Sequence, residues 1–410
     1  MSERSPQERR LLETAAQCIP GGSLGNVTFR EDLSFLAREG KGSRIWDVSG
    51  NEYIDWMMGG GPMVLGHAHP SVVEAVTEAV TQGSTFGVTN ERAVLLAEEI
   101  VKAVPCAEKV RFTTSGTDAD FQAMRAARSY RNREKILKFE GGFHGVSDYA
   151  MMSFTPPAGA EFPQALPDSA GIPKVIQELM LIAPYNDLDT TSTIIEAHHD
   201  ELAAVIVEPL QRILAPQPGF LQGLRDITAR YDIPLIFDEI VTGFRLAYGG
   251  AQEYYGVTPD LCTMGKIMGG GYPLAAVMGR NDIMSVFDQD VAGSDKFVYQ
   301  AGTLNGNPIA CAAGLATLAE VRKEGFYEKL HAIGGRLRQA LVDICAKNGI
   351  PAQIGGEDAV FDVSFTDRDM VTYRDGLAAD SFPANCPSMI KVTATLRPAI
   401  SQTASSTIGR

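Results

Sequence analysis

The chain has 410 residues, 45% of them hydrophobic and 21% charged, which suits a large buried core and about two to three domains. A formal net charge of −14 disfavours DNA, RNA or anionic lipid as partners. No apolar run approaches the roughly 20 residues that span a bilayer. The polar, mixed-charge stretch Met1–Arg10 has no apolar signal core, so the expected location is the cytoplasm.

Arg44 to Trp56 alternates and turns at Ser49-Gly50-Asn51, which reads as a hairpin. Val72 to Val80 carries helical spacing, and Lys109 to Thr113 reads as a short strand. Asp118 to Tyr130 is a predicted helix with Phe121, Met124 and Ala127 on one face. Ile136 to Phe139 is a predicted strand ended by Gly141-Gly142, and Ala203 to Val207 an apolar strand running into Glu208-Pro209. A helix over Leu221 to Tyr231 precedes strands at Pro234 to Phe237 and Leu274 to Met278. Pro308 to Val321 and Glu328 to Cys345 read as long helices.

Continuous apolar strands separated by helices imply an α/β fold with a parallel sheet covered on both faces. The expected organisation is a large α/β domain over residues 56–309 and a small domain from 1–55 and 310–410. Ser381 to Arg410, rich in Ser, Thr and Pro, shows neither period and reads as irregular or disordered.

Cys18, Cys106, Cys262, Cys311, Cys345 and Cys386 form no C-x-x-C pair, which fits a reducing compartment and suggests no zinc site. No other metal site is expected. Gly21-Gly22-Ser23-Leu24-Gly25 matches a nucleophile elbow, but no strand precedes it. His67 and His69 read as a turn, His198-His199 as a polar helix face, and Asn26-Val27-Thr28 as a chance sequon.

Four strings carry chemistry. In Phe112-Thr113-Thr114-Ser115-Gly116-Thr117-Asp118-Ala119 a strand gives way to hydroxyl residues and a helix start. Free N–H groups and the positive dipole end suit a phosphate there, although the string alone is more often an ordinary N-cap. Gly141-Gly142-Phe143-His144-Gly145 puts an aromatic on a glycine-rich loop, able to lie against a cofactor ring or to pack in a core. Asp238, in Phe237-Asp238-Glu239-Ile240, is an acid at the end of a buried strand, where α/β folds place ligand contacts; a structural acid capping the next helix is the alternative. Lys266 stands among apolar and glycine residues, where desolvation would lower its pKa towards the nucleophilic range; a solvated surface lysine is the alternative. A lysine amine able to form a Schiff base, and an aspartate that keeps a pyridine nitrogen protonated, are what pyridoxal phosphate (PLP) chemistry requires.

Taken in order, these strings resemble the class III PLP-dependent aminotransferases of fold type I, in the branch of glutamate-1-semialdehyde 2,1-aminomutase. The resemblance runs from about Ile19 to about Asp380 and includes Trp46 to Asp55, Leu65-Gly66-His67-Ala68-His69-Pro70 and Gln300 to Pro308. It implies a mostly parallel central sheet in a large domain and a smaller α+β domain from both termini. It makes Lys266 the Schiff-base lysine and proton carrier, and pairs Asp238 with the pyridinium. It places Ile240 and Phe143 on opposite ring faces, with His144 in the cofactor site and Glu208 supporting the aspartate. Ser115, Gly116 and Thr117 would bind the phosphate. Thr303 would reach the phosphate of a neighbouring subunit, which implies a homodimer with shared sites.

The departures bear on substrate. The aminomutase Ser-Pro-Val-Arg becomes Gly25-Asn26-Val27-Thr28, without the arginine that meets the substrate carboxylate. Its Ser-Trp-Gly-Pro becomes Gly59-Gly60-Gly61-Pro62, and the Gly-Asn after Glu-Pro becomes Arg212-Ile213. The family's C-terminal helix and late acidic residue are absent from Ser381 to Arg410. The expected activity is an aminotransferase acting on a small-molecule amino donor and a keto acceptor, with Arg212 replacing the missing arginine. The alternatives are the aminomutase itself, or a PLP-binding protein with impaired catalysis.

Overall fold

The computed structural model describes residues 4–25, 34–156 and 160–378. Gly25-Asn26-Val27-Thr28, all but its first residue, and the Ser381–Arg410 tail lie outside the described residues. Twelve strands order the described chain: β1 (Ala37–Lys41), β2 (Arg44–Asp47), β3 (Glu52–Ile54), β4 (Lys109–Thr113), β5 (Lys135–Phe139), β6 (Met180–Ala183), β7 (Leu202–Val207), β8 (Leu235–Glu239), β9 (Leu261–Met264), β10 (Ala275–Gly279), β11 (Gln353–Glu357) and β12 (Val360–Ser364). The first three form an antiparallel sheet that includes the expected hairpin, and the last two pair antiparallel.

The centre is a seven-stranded sheet in the order β4-β10-β9-β8-β7-β5-β6. All six residues of β7 are buried, because this strand has parallel neighbours on both edges and helices on both faces. That double burial explains why Leu-Ala-Ala-Val-Ile-Val shows no polar alternation. β10 corrects the parallel reading: it runs antiparallel to both β4 and β9. Only residues 265–274 separate β9 from β10, too few for the dozen or more that a parallel crossover takes. Its five buried residues hide the direction, since burial on both faces is the same for either.

The helix Gly116–Arg131 lies against this sheet with Ala119, Ala123, Met124, Ala126 and Ala127 inward. The Ser115 side chain caps it by accepting from Asp118 N at 3.2 Å, and Asn132 ends it in the left-handed region at φ 53°. The helix Pro308–Val321 matches its expected span, and the amphipathic helix extends slightly further, over Phe326–Lys347.

Because β5, β7, β8 and β9 are parallel, their C-terminal ends share one edge of the sheet. Register fixes the alignment: Val207 lies opposite Phe237, and Asp238 opposite Thr263. β4 pairs antiparallel with β10 and so runs with them. The loops after these five strands therefore converge on one edge, where open α/β sheets bind ligands.

Candidate active site

Each chemical string from the sequence follows one of those strand ends. β4 delivers Ser115, Gly116 and Thr117. With Ser115 at the N-cap, the N–H groups of Gly116 and Thr117 have no intrahelical acceptor, which makes an anion cradle. An open cleft of about 380 Å³ lies there, lined by Thr114, Ser115, Thr117, Asp118, Phe121 and Ser147. Thr117 Oγ1 accepts from Val146 N at 3.2 Å, which ties this turn to the glycine loop after β5. Gly145 has to be glycine: φ is +83°, and an added Cβ would stand 2.5 Å from Thr117 Cα.

The glycine loop carries Phe143 and His144. Phe143 N donates to Glu208 Oε2 at 2.9 Å, which joins the loop to the end of β7. His144 Nδ1 lies 2.7 Å from Asp238 Oδ2, and Ile240 N donates to Asp238 Oδ1 at 3.1 Å. Asp238 is thus a buried carboxylate with both oxygens engaged. Burial, and then the charge of Asp238, raise Glu208 above the usual carboxylate range, while Arg212 and His144 hold it back.

Ile240 bridges the two ends of the site. A Cβ on Gly116 would come within 3.1 Å of its side chain, and one on Gly265 within 3.3 Å. Phe143 packs near Phe154, with centroids 5.0 Å apart. Lys266 follows β9 in the left-handed region at φ 49°, a conformation a side-chain-bearing residue keeps only where its surroundings hold it. Burial lowers its pKa, against the opposing charges of Asp238 and Glu208, so the amine is biased towards its neutral, nucleophilic form.

Arg212 is exposed and left-handed at φ 60°. Its guanidinium carbon stands 4.6 Å from the Phe154 ring centroid and 5.1 Å from that of Phe143. Its charge reaches both Glu208 and Lys266. Thr303 is exposed on the loop before the helix Pro308–Val321, and the structure brings it against none of the other candidates.

Four site residues escaped sequence reasoning. Asp120, on the inward face of the capped helix, receives a 2.5 Å hydrogen bond from Thr263 Oγ1. Its signal was an acid on an otherwise apolar stripe with Ala123 and Ala127. Lys138, within β5, is fully buried and donates to the carbonyls of Gly142, Ala150 and Met152 at 3.0, 2.9 and 2.6 Å. Arg245 donates to the carbonyls of Gly61 and Ala359. Arg374 makes a bidentate pair with Glu140 at 2.8 and 3.0 Å, beside Tyr373, which packs over Gly141. The two histidine readings resolve simply: His67 Nε2 lies 2.7 Å from Asp55 Oδ2, and His198 pairs with Glu201 at 2.9 Å.

A helix start with free N–H groups, a buried carboxylate and a desolvated lysine, gathered on one edge of the sheet, fit a PLP-dependent enzyme of fold type I. The family profile "Aminotransferase class-III" matches residues 28–384, and the chain belongs to that family. It is 44% identical over 385 residues to glutamate-1-semialdehyde 2,1-aminomutase 2 of Brevibacillus brevis, covering 92% of this chain and 87% of the relative. Against glutamate-1-semialdehyde 2,1-aminomutase of Methanocaldococcus jannaschii it is 40% identical over 384 residues, covering 93% and 88%. Among solved structures it resembles an omega-transaminase from Sphaerobacter thermophilus, with a TM-score of 0.86, 37% identity and coverage of 91% and 86%. It also resembles a beta-phenylalanine aminotransferase from Variovorax paradoxus, with a TM-score of 0.81, 32% identity and coverage of 92% and 83%.

The cofactor is pyridoxal 5′-phosphate. The residues present fit it on this structure's own terms: free helix N–H groups for a phosphate, glycines at 116 and 265 that leave room beside Ile240, a buried carboxylate for a ring nitrogen, and a desolvated amine for an aldehyde. No helix among the described residues is long and apolar enough to cross a membrane.

Proposed function

We propose that the chain is an aminotransferase that moves an amino group between an amino acid or amine and a keto acid or aldehyde, with Arg212 meeting the donor carboxylate. The observation that carries this reading is the Arg212 guanidinium. It sits over Phe143 and Phe154, within electrostatic reach of Lys266, and has no acid within salt-bridge distance among the described residues. A cation held by aromatic faces at the mouth of a site suits a substrate carboxylate. A Cβ on Gly60, where the aminomutase pattern carries an aromatic, would point into open space, which supports a roomier donor pocket.

When bound, the cofactor supplies an electron-accepting ring and a carbonyl that amines can attack. In this reading the neutral Nζ of Lys266 would be the amine that meets that carbonyl, and the same nitrogen would take up and return the substrate's proton. Asp238 would pair with the ring nitrogen and keep it protonated, with His144 and the Ile240 N–H fixing its oxygens. Ser115, Gly116 and Thr117 would hold the phosphate and Ile240 and Phe143 would contact the ring, while Glu208 accepts from the Phe143 N–H and steadies that backbone. Thr303 completes the phosphate site of a second copy. Its exposure, with Tyr299 and Leu304 exposed on the same loop, supports a homodimer. The division into a large domain over 56–309 and a small domain from the two ends is part of the same proposal.

The second reading, an aminomutase, is favoured by the curated relatives at 44% and 40% identity that carry that name. An acceptor requirement separates the two. Turnover of an amino donor only when a 2-oxo acid or aldehyde is added supports the aminotransferase. Isomerisation of glutamate 1-semialdehyde without any acceptor would refute it. Impaired catalysis is disfavoured by the presence of Lys266, Asp238 and the Ser115–Thr117 turn together at the strand ends.

A further inference from the structure

The site contains a second buried acid to which the chemistry above gives no task. Asp120 is 1% exposed and Asp238 5% exposed, and their carboxyl oxygens, together with a ring nitrogen of His144, lie within 4.8 Å of one another. Thr263 Oγ1 donates to Asp120 Oδ1 at 2.5 Å, which occupies one of the two carboxyl oxygens. The groups that act on Asp120 from neighbouring elements are Asp238 at the end of β8, Glu208 after β7 and Thr263 on β9, with His144 of the glycine loop joining the cluster. None of these is a lysine or arginine; Lys266 acts on Asp238 and Glu208, and Arg212 on Glu208, rather than on Asp120 directly. His144 presents Nδ1 to Asp238, and its Nε2 is buried without a partner, which favours the tautomer with the proton on Nδ1. Two carboxylates this close and out of water do not both ionise.

We propose that Asp120 is a positioning residue: as a neutral acid it donates its hydroxyl proton towards Asp238, holding that carboxylate anionic and fixed for the cofactor's ring nitrogen. Burial and the charge of Asp238 push Asp120 well above the usual carboxylate range, the hydrogen bond from Thr263 opposing them, in agreement with that geometry. Asp238 then has three donors: the Ile240 N–H, the His144 imidazole and the Asp120 hydroxyl. The inference rests on the reading of Asp238 as the ring-nitrogen partner.

The test compares wild type with Asp120→Asn and Asp120→Leu. Asparagine is an always-neutral donor of nearly the same shape, so it is expected to bind PLP within about threefold of wild type in equilibrium dialysis. Leucine removes the donor and is expected to weaken binding about tenfold to a hundredfold, the usual worth of a hydrogen bond to a charged group. The metal-free, cofactor-free apoprotein gives a second readout. An acid whose folded pKa lies above its unfolded value loses stability for the fold as pH rises from the unfolded pKa through the folded one. Asp120→Asn escapes that loss, so its melting temperature should gain on wild type steadily from pH 5 to pH 8. A gain that stays flat or reverses overturns the proposal, because Asp120 is then an anion. Asparagine weakening PLP as much as leucine also overturns it. Asp238→Asn tests the underlying reading separately: unchanged PLP binding in that variant overturns the site assignment whatever Asp120 does.

Discussion

His144 Nδ1 stands 2.7 Å from Asp238 Oδ2, with the two side chains 1% and 4% exposed, so a glycine loop after β5 is fastened to the end of β8. The contact makes the loop part of the ring-nitrogen site. Replacing His144 with Phe removes one donor from Asp238 and is expected to weaken PLP binding about tenfold to a hundredfold in equilibrium dialysis, with the fold retained by circular dichroism.

Burial lowers the pKa of Lys266 in the apoprotein. Only the neutral amine attacks the cofactor's aldehyde, so capture should accelerate as pH rises and level off with a midpoint below the 10.5 of an ordinary lysine. Stopped-flow absorbance of apoprotein mixed with PLP gives that midpoint. A value at or above 10.5 would mean that the amine is solvated.

Arg212→Ala is expected to raise KM for a carboxylate-bearing donor about tenfold to a hundredfold while kcat changes little, because a contact made equally in ground and transition states affects binding alone. An amine without a carboxylate should keep its KM within about twofold. Arg212→Lys should recover only part of the loss, since lysine lacks the planar fork and the stacking face.

Lys138 should prove structural. Lys138→Met leaves the carbonyls of Gly142, Ala150 and Met152 without their donor and is expected to cost about 2–4 kcal/mol in denaturant unfolding. Burial brings the lysine down to about 7 from 10.5. Between those values the unfolded chain binds more protons, so wild-type stability rises with pH, by up to about 1.4 kcal/mol per unit from this group. Methionine lacks that dependence, so the deficit of the variant should widen from pH 7 to pH 9.

The strand ends explain why so much of the site was legible. Ser115, His144, Glu208, Asp238 and Lys266 each lie at or within a few residues of a strand's C-terminal end, and the sheet brings those ends to one edge. Asp120, Lys138 and Arg374 were not legible for a shared reason. A lone charge on a helix or strand ordinarily marks a solvated face, and only the packed neighbours reveal that these face a carboxylate cluster, a row of carbonyls and a buried glutamate. The direction of β10 was within reach, through the short connection after Lys266, but full burial of the strand offered no pattern to betray it. Arg212 was noticed as a departure from a motif. Its placement over two aromatic rings depends on a left-handed backbone that the residue type does not announce.

The most direct measurement is the absorbance spectrum of the purified holoenzyme before and after addition of single amino donors with no acceptor present. The expected result is loss of the visible band of the lysine-bound cofactor with one equivalent of keto product per site, and return of the band when a 2-oxo acid is added. A band that no donor discharges, alongside isomerisation of glutamate 1-semialdehyde, would contradict the aminotransferase assignment.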